Sequence, residues 1–254
     1  MIEVKELNFS YEAPVLNDIN ISIEKGKFYS ILGPNGSGKT TLLKLLSKIL
    51  PLEKAHIFLE NKDIINISAK ALSKRIAVVP QSTEIEFDFS VEDIVLMGRS
   101  PHIARFSKES NKDIEIAENA MKVTNTYKLK NKSINALSGG ERQRVVVARA
   151  IAQDTEIILL DEPISHLDIH HQVEIMNQIK ALNKEKNITI IAVLHDINLA
   201  AAYSDYMILM KEGKVHSSGI PEEILTEKSM KEVYELEVYI SKNPRTGKLF
   251  LMPF

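Results

Sequence analysis

The stretch Gly33-Pro34-Asn35-Gly36-Ser37-Gly38-Lys39-Thr40-Thr41 sets the terms for the rest of the chain. Before it runs Phe28 to Leu32, an apolar segment that predicts a buried strand. After it come Leu42, Leu43, Leu45, Leu46, Ile49 and Leu50, one stripe at helical spacing that Pro51 stops. The loop therefore falls at a helix N-terminus, where unpaired backbone N–H groups and the positive end of the helix dipole favour an anion. Its glycines let the backbone wrap a phosphate chain closely, Lys39 reaches the β- and γ-phosphates, and Thr40 offers a hydroxyl to Mg²⁺. The pattern predicts a nucleoside triphosphate site at the end of a buried strand.

The remaining elements alternate in type. Ile2 to Phe9 and Val15 to Ile23 alternate apolar and polar residues around a turn near Glu12-Ala13-Pro14, as antiparallel strands do. Tyr11 lies in that turn, either as a surface ring or as a flat face for a nucleotide base. Ala55 to Leu59 and Asn61 to Ile64 read as edge strands, and Ile76 to Val79 as a strand ending at Pro80-Gln81. Glu84 to Phe89 is turn-like. Val91 to Met97 then reads as a helix with Ser90 as N-cap and Asp93 closing a capping box. Asp113 to Asn125 reads as a second helix, with Ile114, Ala117, Met121 and Thr124 on one face. Residues 84–136 thus form a helical subdomain inserted in one domain that spans 1–254.

Leu137-Ser138-Gly139-Gly140-Glu141 opens a helix through Ile151. Ile157 to Leu160 is a strand buried on both faces that ends in Asp161-Glu162-Pro163. Beyond Ser165-His166-Leu167-Asp168 a helix runs to about Lys184. Ile188 to Leu194 is the next buried strand and ends at His195; Tyr206 to Phe254 reads as edge strands and a short helix, with a turn at 243–247. Strands alternating with helices predict an α/β fold with a parallel sheet, joined to an antiparallel β edge subdomain. Met207 and Met210 read as core packing. His170 and His171 read as a solvated helix start, because neighbours on a helix point in different directions.

Composition narrows the function classes. The net charge of −2 gives no electrostatic reason to expect nucleic acid. The absence of cysteine excludes disulfides, thiol catalysis and thiolate metal sites. Glu3, Lys5 and Glu6 stand where a signal peptide needs apolar residues, and Ile188 to Leu194 is too brief to span a bilayer. Any membrane connection is expected to run through a partner.

Four polar features follow the ends of apolar strands: the glycine-rich loop, Gln81, Asp161-Glu162 and His195. In open parallel sheets ligands bind beyond the carboxyl ends of the strands. Phosphoryl chemistry then suggests roles. Thr40 and Asp161 hold Mg²⁺, Glu162 accepts a proton from a positioned water, His195 hydrogen-bonds the γ-phosphate, and Gln81 touches the metal or the water. Ser138-Gly139-Gly140 is a second anion site at a helix N-terminus, which makes sense if it serves a nucleotide held by another copy.

Leu137 to Glu141, continued by Arg142-Gln143-Arg144, resembles the signature motif of ATP-binding cassette ATPases. The glycine-rich loop, Gln81, Asp161-Glu162, the Ser165 to Asp168 loop and His195 fall in that family's order, and Tyr11 occupies its base-stacking position. The resemblance implies a RecA-like P-loop NTPase core that hydrolyses ATP with Mg²⁺. It also implies a head-to-tail dimer that sandwiches two ATP molecules. Each would lie between Lys39 of one copy and Ser138, Gly139, Gly140 and Glu141 of the other, with Asp168 crossing the interface.

Val95 to His102 and Val238 to Gly247 are similar to subunits that energise uptake of ferric siderophores, haem or cobalamin. In that subfamily the helical subdomain receives an integral-membrane permease, itself served by a substrate-binding protein, and the ATPase sits on the cytoplasmic face of the membrane. Some molybdate or tungstate importers share the first stretch, so an importer of molybdate, tungstate or a metal ion is an alternative. A soluble cassette acting as an assembly scaffold, for instance in iron–sulfur cluster building, is the alternative from another class. Ile164 and His166 depart from the usual family residues at positions without a catalytic role.

Overall fold

The computed structural model describes residues 1–81, 88–165 and 167–254. Two compact units emerge: Met1–Ser68 with Thr189–Phe254, and Ala69–Ile188. Residues 84–87, where the helical subdomain is expected to begin, and His166 lie outside the described residues.

In the first unit, β1 (Ile2–Ser10) and β2 (Pro14–Ile23) form the expected antiparallel pair. Next come β3 (Phe28–Leu32), α1 (Lys39–Leu46), β4 (Ile57–Leu59) and β5 (Lys62–Asp63). The antiparallel sheet runs β2-β1-β4-β5, so of the two strands expected at an edge β4 is an inner strand and β5 lies at an edge. Helix α1 stops at Leu46 and leaves Ile49 61% exposed, because Lys48 takes φ 58° and turns the chain. The Lys48 ammonium then donates to the carbonyls of Ile64, Ile65 and Ile67 at 3.0, 2.7 and 2.8 Å. The apolar stripe of α1 is thus shorter than its spacing suggests.

The second unit carries α2 (Ala69–Leu72), β6 (Ile76–Val79), α3 (Val91–Leu96) and α4 (Asn111–Val123). It continues with α5 (Gly139–Ala152), β7 (Ile157–Asp161) and α6 (Ile169–Lys186). Strands β6 and β7 are parallel, with Val79 opposite Leu160. Ser90 and Ser110 cap α3 and α4 in full capping boxes with Asp93 and Asp113. On α4 the buried face is Ala117, Ala120 and Met121, with Thr124 at the cap, while Ile114 is 37% exposed.

The chain returns to the first unit with β8 (Thr189–Val193), α7 (Ile197–Tyr203), β9 (Tyr206–Lys211) and β10 (Lys214–Gly219). It ends in α8 (Pro221–Ile224), α9 (Glu227–Tyr234) and the hairpin β11 (Val238–Lys242) and β12 (Leu249–Pro253). Strand β3 lies between β8 and β9 and is parallel to both, and β10 closes the run antiparallel. Strand β9 is therefore an inner strand rather than an edge. Its buried run Met207 to Met210 is what a strand covered on both faces shows, and both methionines are fully in the core.

One ion pair stiffens the second unit. The Arg99 and Asp113 side chains are only 6% and 14% exposed; Arg99 Nε donates to Asp113 Oδ1 at 2.9 Å and Nη1 to the Ala152 carbonyl at 2.8 Å. Hydrogen bonds from Ser110, and then from Arg99, hold the Asp113 carboxyl down at about 2. A depressed carboxyl contributes stability above its ordinary value of 3.8, and that contribution is lost as pH falls towards 2. Arg99→Met is expected to cost about 3 kcal/mol near neutral pH, because it strands a shielded carboxylate. In urea titrations the gap between wild type and variant should narrow on acidification; a gap that widens would show that the pair does not act this way.

Candidate functional site

The glycine-rich loop leaves β3 as predicted and opens α1. Gly33 has φ +151°, and a Cβ there would meet the Met210 carbonyl oxygen at 2.1 Å, so only glycine passes between β3 and β9. Gly38, at φ +97°, is closed from outside by Leu16, 2.5 Å from where its Cβ would stand. The loop is thus gripped by β9 on one side and by β2 on the other. Lys39 is 6% exposed and donates to the Gly33 and Pro34 carbonyls at 2.8 and 2.9 Å. Ser37 and Thr41 are buried with it, while Pro34, Asn35, Gly36 and Thr40 are more accessible.

The grip of β2 also brings the turn between β1 and β2 to the loop. Tyr11 sits in that turn, 56% exposed, with its ring edge-on to Phe9 at 5.0 Å and 89°. The ring stays largely accessible. His195 belongs to the same unit. Parallel pairing puts Ile31 opposite Val193, and Leu194 N–H donates to the Ile31 carbonyl at 3.2 Å. The loop and the exposed His195 therefore leave the carboxyl ends of adjacent strands.

The second unit makes the other pair. Because Val79 faces Leu160 in register, Gln81 and Asp161-Glu162 emerge side by side. Gln81 Nε2 donates to Glu162 Oε2 at 2.8 Å. Asp161 is the last residue of β7 and 6% exposed, whereas Glu162 takes φ 50°, a left-handed conformation uncommon outside glycine, which swings the chain out of the strand. The four strand-end features thus fall into two adjacent pairs, one in each unit.

Ser138 caps α5. Its hydroxyl accepts from Glu141 N–H at 3.3 Å, while the Glu141 carboxylate accepts from both the Ser138 N–H and hydroxyl at 2.9 Å. These bonds hold the Glu141 carboxyl below its ordinary range. Gly139 and Gly140 occupy the first turn, and a Cβ on Gly140 would only touch Leu167 and His171. Asp168 caps α6 by accepting from His171 N–H at 3.0 Å, and its other oxygen lies 2.7 Å from His171 Nδ1. Those contacts lower its pKa, chiefly through the His171 backbone. His171 is thus a partner of the cap. Among the described residues no cluster of three His, Cys, Asp or Glu could hold a metal ion.

Two residues that the sequence reading passes over also reach this region of the first unit. Tyr234, at the end of α9, lines a cleft of about 360 Å³ opposite Pro34, Asn35, Gly36 and Ser37. Asn198, in the first turn of α7, accepts from Leu251 N–H at 2.7 Å and donates to the Leu251 carbonyl at 3.1 Å. Neither lies in a motif; both contacts join residues distant in sequence.

A glycine-rich loop between a parallel strand and a helix, and a paired Gln and Glu after other strands, define a P-loop ATPase of the α/β class. The ABC transporter family model matches residues 16–165. The chain belongs to the ABC transporter family. It is 40% identical, over 97% of its own length and 92% of the relative's, to the iron(3+)-hydroxamate import ATP-binding protein FhuC of Bacillus subtilis (strain 168). It superimposes with a TM-score of 0.87 and 31% identity on an ABC transporter chain solved in an inward-facing conformation, covering 100% of this chain and 96% of that one. A dimeric post-hydrolysis structure of the ATP-binding cassette MJ0796 with ADP and Pi matches at a TM-score of 0.76 and 29% identity, over 87% and 99% of the two chains.

Proposed function

We propose that this chain is the ATP-hydrolysing subunit of a membrane importer whose cargo is a ferric siderophore, haem or cobalamin. The observation that carries the reading is the end-to-end similarity to an iron(3+)-hydroxamate import subunit, which extends through the Val238 to Gly247 segment beyond the family model. No helix among the described residues is long and apolar enough to cross a membrane. The chain then works on the cytoplasmic face by docking its helical subdomain, residues 84–136, on a permease that a substrate-binding protein supplies.

In this reading Gly33 to Thr41 cradle the phosphates of ATP, and Lys39 exchanges its two carbonyl partners for phosphate oxygens. The accessible ring of Tyr11 stacks on the base. Thr40, Asp161 and Gln81 supply hard oxygens, a donor set that suits Mg²⁺, which keeps several waters and needs few protein ligands. When bound, the ion offsets the charge on the phosphate oxygens. Glu162 takes the proton of the attacking water as its oxygen bonds to the γ-phosphorus and ADP departs, while Gln81 holds the carboxylate in place. His195 hydrogen-bonds the γ-phosphate.

Ser138, Gly139, Gly140, Glu141 and Asp168 serve the nucleotide of a second copy in a head-to-tail dimer that sandwiches two ATP molecules. The dimeric state of the similar cassette MJ0796 supports this arrangement. Closing on ATP pulls the permease, and hydrolysis releases it.

The test is to isolate the tagged chain from gently solubilised host cells. A polytopic permease in the eluate, with ATPase activity stimulated by the loaded substrate-binding protein, is expected. Soluble partners alone, under conditions that preserve a control transporter, would overturn the importer in favour of a scaffold.

A further inference from the structure

The segment after β10 lies outside the matched family region, yet it touches the nucleotide side of its own unit at two points. Tyr234 is the first. Helix α9 is capped by a box between Thr226 and Ser229, buries Met230 and Val233, and so fixes where its last residue falls. That residue faces the phosphate loop across the cleft lined by Pro34 to Ser37, Val233 and Glu235. Burial pushes its phenol up to about 12, against the influence of the nearby Gly33 backbone, so it stays a neutral hydroxyl beside the loop. Gly33 is the residue at which an added Cβ would meet the Met210 carbonyl oxygen at 2.1 Å, so this point of the loop requires glycine.

Asn198 is the second point. Its side-chain amide clasps both polar groups of the Leu251 backbone, as a neighbouring strand would. Leu251 is 7% exposed and pairs with Ile240 in the terminal hairpin. Helix α7 carries Asn198 one turn beyond its cap Asp196, which itself follows His195. The hairpin therefore holds the helix whose N-terminal end fixes where His195 stands.

We propose that the C-terminal segment 221–254 braces the nucleotide site, with Tyr234 and Asn198 as positioning residues for the phosphate loop and for His195. This rests on the reading of Gly33 to Thr41 and His195 as nucleotide contacts. The two struts act on different events. A loosened loop weakens ground-state and transition-state binding alike, which raises KM; a displaced His195 loses a contact made with the reacting γ-phosphate, which lowers kcat.

The experiment measures ATPase kinetics and nucleotide affinity of the full chain carrying Tyr234→Phe, Asn198→Ala or Lys39→Ala. Tyr234→Phe is expected to raise KM and the ATP Kd roughly three- to tenfold, the worth of one hydrogen bond, with kcat within about twofold. Asn198→Ala is expected to lower kcat roughly five- to twentyfold with little change in KM. Folded variants that keep both constants at wild-type values overturn the brace, as does an equal fall in kcat for both that tracks a fall in Tm. Lys39→Ala separates the two levels: if its ATP Kd equals that of the wild type, the phosphate-loop reading itself fails.

Should Tyr234→Phe not fold, glycine-selective ¹⁵N labelling of the wild-type chain, with its 10 glycines, reports on the Gly33 amide directly. Slow exchange of that amide relative to Gly36 is expected. Exchange as fast as at Gly36 overturns the Tyr234 strut.

Discussion

Glu162→Gln is expected to lower ATP turnover by roughly 10²- to 10⁴-fold, the range a positioned general base contributes, while ATP binding survives. The substitution keeps the side chain's size and its acceptor for Gln81 Nε2, which lies 2.8 Å from Glu162 Oε2. What it removes is the capacity to take a proton from water. A protein that binds ATP but does not release it as ADP should accumulate as a closed dimer, visible as a doubled mass in size-exclusion chromatography with ATP and Mg²⁺. Turnover within tenfold of wild type would remove Glu162 from the role of base. Dimers forming equally without nucleotide would remove the ATP sandwich.

Lys39→Ala is expected to weaken ATP binding by about 3 kcal/mol or more, since charge-assisted hydrogen bonds are worth up to that each. That is roughly a hundredfold in Kd, measurable by titrating a fluorescent ATP analogue. The lysine is already shielded and directed across its own loop to the Gly33 and Pro34 carbonyls. Little side-chain ordering therefore remains to oppose the binding of a phosphate. The substitution should also lower Tm, because the buried Gly33 carbonyl and the part-buried Pro34 carbonyl lose their donor. An unchanged Kd would move the nucleotide away from this loop.

Much of this architecture was legible because its signals are local. Phe28 to Leu32 and the glycines after it dictate a strand, a turn and a helix start without reference to anything distant. Ser90 with Asp93 writes its capping box in four residues. What escaped the sequence was set by partners remote along the chain. The end of α1 is invisible in its leucine spacing because Lys48 leaves the helix to bind carbonyls 16 to 19 residues away. The inner position of β9 is signalled by its buried run of Met207 to Met210, yet its neighbours β3 and β10 are fixed only by pairing.

The site shows the same division. Gln81, Glu162, His195 and the phosphate loop were recognisable as strand-end residues, but their grouping into adjacent pairs comes from strand register. Tyr234 and Asn198 reach their partners through α9 and the terminal hairpin, so no spacing in the sequence points to them.

The Glu141 carboxylate that closes the cap of α5 is a tethered anion, resident at the helix end where a foreign phosphate would dock. Being attached to the same turn, it is present at a high effective concentration that a free anion at ordinary levels does not match. Inorganic phosphate or sulfate alone is therefore a poor rival for the Ser138 amide and hydroxyl. In the dimer proposed above, a triphosphate anchored on the other copy arrives with its own effective concentration and displaces the incumbent. In that proposed arrangement the helix end is a coincidence detector, indifferent to loose anions and responsive to one that is delivered.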